Sequence, residues 1–148
     1  LVSFSKILVG VDGSAAALEA ARYAVELAKR LGASVTFMGV VDEENLEKME
    51  RSGMVKRATA EAAMEREMMN FTDEAARIAK GRGVVCEQVV ETGDVVQALI
   101  SRAVKGNFDL LVVASRRMVS LEAVATGENT ARLVNFSPIP VLVYKSGG

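Results

Sequence analysis

The sequence holds no histidine, no tryptophan, one cysteine and only two prolines. Each shortage removes a class of chemistry. Without imidazole there is no Ser-His-Asp triad and no histidine base. The common zinc sites lose their ligands as well, because one thiol does not replace them. A lone cysteine forms no intrachain disulfide, which fits a reducing compartment. No apolar run reaches the length of a membrane helix. The opening LVSFSK lacks the charged-then-apolar order of a signal peptide, so a cytoplasmic location without membrane contact is expected. Nor is one sign of charge in excess. Lysine plus arginine number 18 and aspartate plus glutamate 19, so bulk electrostatics offer nucleic acid nothing.

What remains is a chain of 148 residues, 50% hydrophobic and 25% charged, which reads as one domain over 1–148. Such a length buries roughly 70% of its unfolded surface and needs no staples. The run Ile7-Leu8-Val9-Gly10-Val11 reads as a buried strand, closed by the turn residues Asp12-Gly13-Ser14. Ser14 is placed to cap a helix whose stripe is Leu18, Ala21, Val25 and Ala28, and Gly32 stops it. Ser34 to Val41 is a second strand. The segment 42–59 has little pattern: it opens acidic and turns basic, and reads as a mobile excursion with room for a short helix. A long helix follows from about Ala60 to Lys80, with Met64, Met68, Phe71, Ala75 and Ile78 on one face.

Val84 to Val90 is a third strand, with Cys86 read as a small core residue rather than a nucleophile. Asp94 caps the next helix, whose buried stripe is Val96, Leu99, Ile100 and Ala103. Leu110 to Ala114 is almost wholly apolar and so central. A short helix over about Glu128 to Asn135 and a last strand, Val141 to Tyr144, complete the chain. Alternating strands and helices imply an α/β fold: a doubly wound, five-stranded parallel sheet with helices on both faces. Ligands in such folds bind outside the carboxyl ends of the strands, where strand order reverses.

At those ends the chemistry is sparse. Gly10-Val11-Asp12-Gly13-Ser14 is neither a Walker A loop nor a GxGxxG fingerprint. Asp12 there suits a ribose, a base or a metal, and by itself plain turn chemistry and helix capping most of all. Ordered along the chain, KILVGVDGS (Lys6 to Ser14), ETGD (Glu91 to Asp94), FDLLVVAS (Phe108 to Ser115) and FSPIPVLVYK (Phe136 to Lys145) resemble the universal stress protein family over nearly its whole length.

The resemblance implies a strand order of 3-2-1-4-5 and a homodimer. Pairing through the last strand would place Val141, Leu142, Val143 and Tyr144 at the shared edge. It also implies a decision about ATP, because some members bind it through G-x2-G-x9-G-[ST] at the end of strand four. Here Ala114 and Arg117 stand at the first two glycine positions, Gly127 matches the third, and Glu128 replaces the hydroxyl residue. Arg117 adds bulk and resists φ > 0, and Glu128 sets a carboxylate where helix amides would draw phosphate.

The sequence therefore favours a binding or regulatory protein of the stress response, without the usual ATP loop and with no firm cofactor. The alternative binds ATP or AMP through Asp12, the backbone near Val40 and Val41, Ser115, Arg116, Arg117, Gly127 and Asn129, with slow hydrolysis at most. A third reading gives the same cleft to a small anion or other ligand.

Overall fold

β1 (Lys6–Gly10) leads into α1 (Ala15–Leu31), then β2 (Ser34–Asp42), α2 (Glu43–Arg51), α3 (Arg57–Gly81), β3 (Cys86–Gly93), α4 (Val95–Lys105), β4 (Leu110–Arg116), α5 (Glu128–Phe136) and β5 (Val141–Ser146) in a computed structural model. The structure describes residues 3–116 and 128–147. The five strands form one parallel sheet of order β3-β2-β1-β4-β5, as expected.

Strand alternation divides the core in two. Ile7, Val9, Val35, Phe37, Leu110 and Val112 face α1 and α3, whose small residues Ala20, Ala21, Ala24, Ala28, Ala75 and Ala79 let the helices lie close. Leu8, Met38, Val40, Leu111 and Val113 face the other way, against Val96, Leu99 and Ala103 of α4 and Leu133 of α5. Both faces of the central strands are thus covered, which explains their nearly unbroken apolar runs.

Local signals set the helix ends. Ser14 Oγ accepts from Ala17 N at 3.0 Å, and Gly32 closes α1 in the left-handed conformation, φ 68°. Asp94 caps α4 by accepting from Gln97 N at 2.9 Å. At the far end of the sheet, Asp109 Oδ2 accepts from Lys6 N, Ser5 N and Ser5 Oγ at 2.9–3.0 Å, which holds that carboxyl below the usual aspartate range and ties β1 to the start of β4.

Several boundaries differ from the sequence reading, and the short helix it allowed is formed. Within 42–59, α2 is a formed helix, capped by Asp42 and anchored by the buried Leu46 against Val41 and Ala60. α3 starts at Arg57, whose guanidinium meets Glu43 at 2.6 Å and so joins the two helices. β3 begins later and runs further than Val84–Val90, because its polar end pairs with β2 as far as Asp42↔Gly93.

Candidate functional site

β1 is flanked by β2 on one side and β4 on the other, so the order of strands reverses between β1 and β4. There the carboxyl ends open onto a cleft of about 1010 Å³, within the size range that holds a nucleotide-sized molecule. Its floor is apolar: Met38, Val40, Leu99, Val113 and Leu133 are all buried. Its rim is polar and comes from the β1 exit, the end of β2, the end of β4 and the first turn of α5.

Asp12 holds the β1 exit. Its Oδ1 accepts from Ser14 N at 2.9 Å and from Ser14 Oγ at 2.6 Å. With its proton directed at Asp12, the Ser14 hydroxyl is free to accept from Ala17 N, so the turn and the helix cap reinforce each other. Asp12 therefore does the turn's work and still lines the cleft.

Several of the expected site residues converge. Asp12, Val40, Ala114, Ser115, Glu128 and Asn129 all line the cleft. Val41 does not: its side chain turns to the opposite face and is buried beside Leu46 and Ala60. Arg116 ends β4, while Arg117 and Gly127 lie outside the described residues. Glu128 opens α5, where unpaired backbone N–H groups give a partial positive charge, and its exposed carboxylate sits at that pole.

Charge is the cleft's most distinctive property. Among the described lining residues Asp12, Glu19, Asp42, Glu44 and Glu128 are acidic and none is basic. Two of these, Glu19 and Glu44, belong to helices and not to the strand exits. Their placement follows from topology: the N-terminal ends of α1 and α2 leave the carboxyl ends of β1 and β2, and so border the same opening.

One supporting residue had no signal in the sequence. Arg132 of α5 pairs with Asp94 at the head of α4, 3.1 Å from Nη2 to Oδ2. The guanidinium, then the Gln97 backbone N–H, hold the Asp94 carboxyl below the usual aspartate range. This pair ties α5 to α4 and so fixes where Glu128, Asn129 and Thr130 meet the cleft. A depressed folded pKa contributes stability above the unfolded value and loses it as pH falls through the folded one. Arg132→Gln should therefore leave Asp94 easier to protonate and move the acid-unfolding midpoint, followed by circular dichroism, to higher pH.

The fold defines a doubly wound α/β protein with a cleft at its switch point, where such folds bind ligands. A model of the universal stress protein family matches residues 3–145, and the chain belongs to that family. It is 26% identical over 142 residues to universal stress protein MJ0531 of Methanocaldococcus jannaschii, covering 96% of this chain and 82% of the relative. It is also 26% identical over 147 residues to universal stress protein YxiE of Bacillus subtilis, covering 96% and 99%. Among solved structures, that of hypothetical protein MJ0577 aligns with a TM-score of 0.83 at 20% identity, over 99% of both chains. A universal stress protein solved in complex with cAMP aligns with a TM-score of 0.66 at 25% identity, over 97% of this chain and 98% of that one. Among the described residues no helix is long and apolar enough to cross a membrane, and no cluster of acidic or thiol side chains is arranged to hold a metal.

Proposed function

We propose that this chain is a cytoplasmic binding or regulatory protein of the stress response whose cleft does not take ATP in the manner of the glycine-loop members. The observation that carries the reading is Glu128 at the N-terminus of α5, set among four further carboxylates on the cleft wall. A triphosphate entering there meets negative charge at the point where helix amides would otherwise receive it. Ala114 and Arg117 at the loop's first two glycine positions support the same conclusion from sequence.

A second reading is nucleotide binding with a less charged ligand. The apolar floor suits a base, and the aligned universal stress protein holds cAMP, which has one phosphate charge. Calorimetric titration with Mg-ATP, AMP and cAMP separates the two. No heat from any of them upholds the first reading, and binding of cAMP or AMP but not ATP selects the second. Micromolar ATP affinity overturns the first.

The protein pairs with a second copy through β5 on this reading. β5 is an edge strand, with Val141, Leu142, Val143 and Tyr144 half-buried, and unpaired edges invite a partner. Tyr144 also packs against Tyr23 of α1, the tilted rings 5.2 Å apart between centroids, which steadies the edge. Sedimentation should give a dimer at micromolar concentration, and Val143→Lys should shift it toward monomer. A monomeric native chain overturns this assignment.

A further inference from the structure

We propose that Met69 is a site of reversible sulfoxidation by a peroxide, with hydrogen-bond donors already in place for the product. Met69 lies on α3 and is 45% exposed, so a small oxidant reaches it. Its sulfur lies beside two donors. Thr72 Oγ1 is 3.8 Å from Sδ, and Gln88 Nε2, reaching across from β3, is 4.0 Å from it. These are long, weak contacts to a thioether, which is a poor acceptor.

The surrounding contacts fix both donors. Gln88 Nε2 donates to Asp73 Oδ1 at 2.6 Å, which orients the amide with its nitrogen toward α3. Its other N–H donates to Thr72 Oγ1 at 3.0 Å and grazes the Met69 sulfur, and Thr72 is wholly buried. The Thr72 hydroxyl now donates to Met69 O at 3.0 Å, a carbonyl inside α3 that the helix ladder already engages. That hydroxyl is free to turn toward a stronger acceptor at no loss of helix.

Oxidation supplies one. The sulfur gives an electron pair to one oxygen of hydrogen peroxide. The O–O bond breaks, an S–O bond forms, and the second oxygen leaves as water with both hydrogens. Sulfur is oxidised by two electrons and the peroxide is reduced by two. The new oxygen is a strong acceptor, and on the side of Gln88 it takes or shares the N–H that now goes to Thr72 Oγ1. The product then bridges α3 to β3.

The neighbouring Met68 shows the opposite environment. A methyl built on Gly39 would meet Met68 Cβ at 3.1 Å and Sδ at 3.3 Å, so this side chain packs straight onto β2. An oxygen added there has no donor to meet and must displace packed atoms. Met54, 88% exposed, serves as an internal standard for oxidation without a receiving site.

The test treats the full chain with hydrogen peroxide under conditions that oxidise Met54 and Met69, as read by peptide mapping. The side-chain amide of Gln88 is then followed by NMR. It should move downfield in the oxidised native chain and stay put in an oxidised Met69→Leu variant. Repair by a methionine sulfoxide reductase is the second readout. At the ordinary net strength of a hydrogen bond, Gln88→Leu should speed repair at Met69 roughly threefold and leave Met54 unchanged. An unmoved Gln88 amide, or repair at Met69 unaffected by Gln88→Leu, overturns the proposal. The NMR arm stands on the native chain even where the Gln88 variant folds poorly.

Discussion

If the cleft does not take ATP, as proposed, Glu128→Ser should give it weak Mg-ATP binding, and Glu128→Ser combined with Ala114→Gly and Arg117→Gly should bind it clearly. The native carboxylate opens α5, where the helix pole would otherwise attract phosphate. Removing one unit charge a few ångströms from a polyphosphate, in a partly solvated cleft, is worth about 1.4 kcal/mol or tenfold in affinity. The gain should scale with ligand charge: largest for ATP, smaller for AMP, smallest for cAMP. It should also shrink as salt is raised, because the repulsion from the exposed Glu128 carboxylate acts through screened solvent. Calorimetry at two ionic strengths reads all three expectations. An equal gain for ATP and cAMP would mean that Glu128 acts by shape and not by charge.

The same substitution has a cost elsewhere. A glutamate in the first helical turn stabilises α5 by roughly 0.3–1 kcal/mol through the macrodipole, and serine there keeps none of the charge. Tighter nucleotide binding should therefore accompany a slightly less stable apo protein. Such opposed effects mark a residue that occupies an anion site with its own side chain.

How much of this was legible before the fold was known depends on the kind of signal. β1, α1 and their turn were readable because short-range chemistry sets them: Asp12, Gly13, Ser14 and Gly32 act on their immediate neighbours. α2 was legible only as room for a short helix, because it buries only Leu46 and displays no stripe; a cap and the Arg57–Glu43 pair across the α2–α3 turn hold it in place. β3 was misplaced because hydrophobicity marked Val85, which is 73% exposed, and not the polar Glu91-Thr92-Gly93 end that pairs with β2. Within the site, Asp12 and Glu128 announced themselves through a turn and a family motif. Arg132 had no such signal: its partner Asp94 lies 38 residues away, and only the packing of α5 on α4 brings the two together. The acidic character of the cleft was hidden for the same reason, since its five carboxylates come from three distant stretches of the chain, 12–19, 42–44 and 128.

Gly13→Ala should be among the most damaging single-methyl additions in the chain, and it should act through α3. Gly13 has φ 87°, a conformation that alanine adopts at about 1–2 kcal/mol. A Cβ there would also sit 2.2 Å from Phe71 Cε2 and 2.3 Å from Cζ, so the ring of α3 must move. The ring is half-buried and contact is at its far edge, which limits the overpacking cost to the lower part of the usual 1–3 kcal/mol. Together these predict about 2–3 kcal/mol, or a fall in Tm of roughly 4–12 °C for a chain of this size. The two terms separate in a double-mutant cycle. Phe71→Ala alone should destabilise by lost packing, while the Gly13→Ala, Phe71→Ala double variant should be about 1 kcal/mol better than the sum of the singles. The backbone strain remains and the collision is gone. Because Asp12 and Ser14 flank this glycine and line the cleft, the single variant should also weaken whatever ligand the cleft takes, and Phe71→Ala should partly restore it. A cycle with no coupling would place the whole effect in the backbone and leave the turn independent of α3.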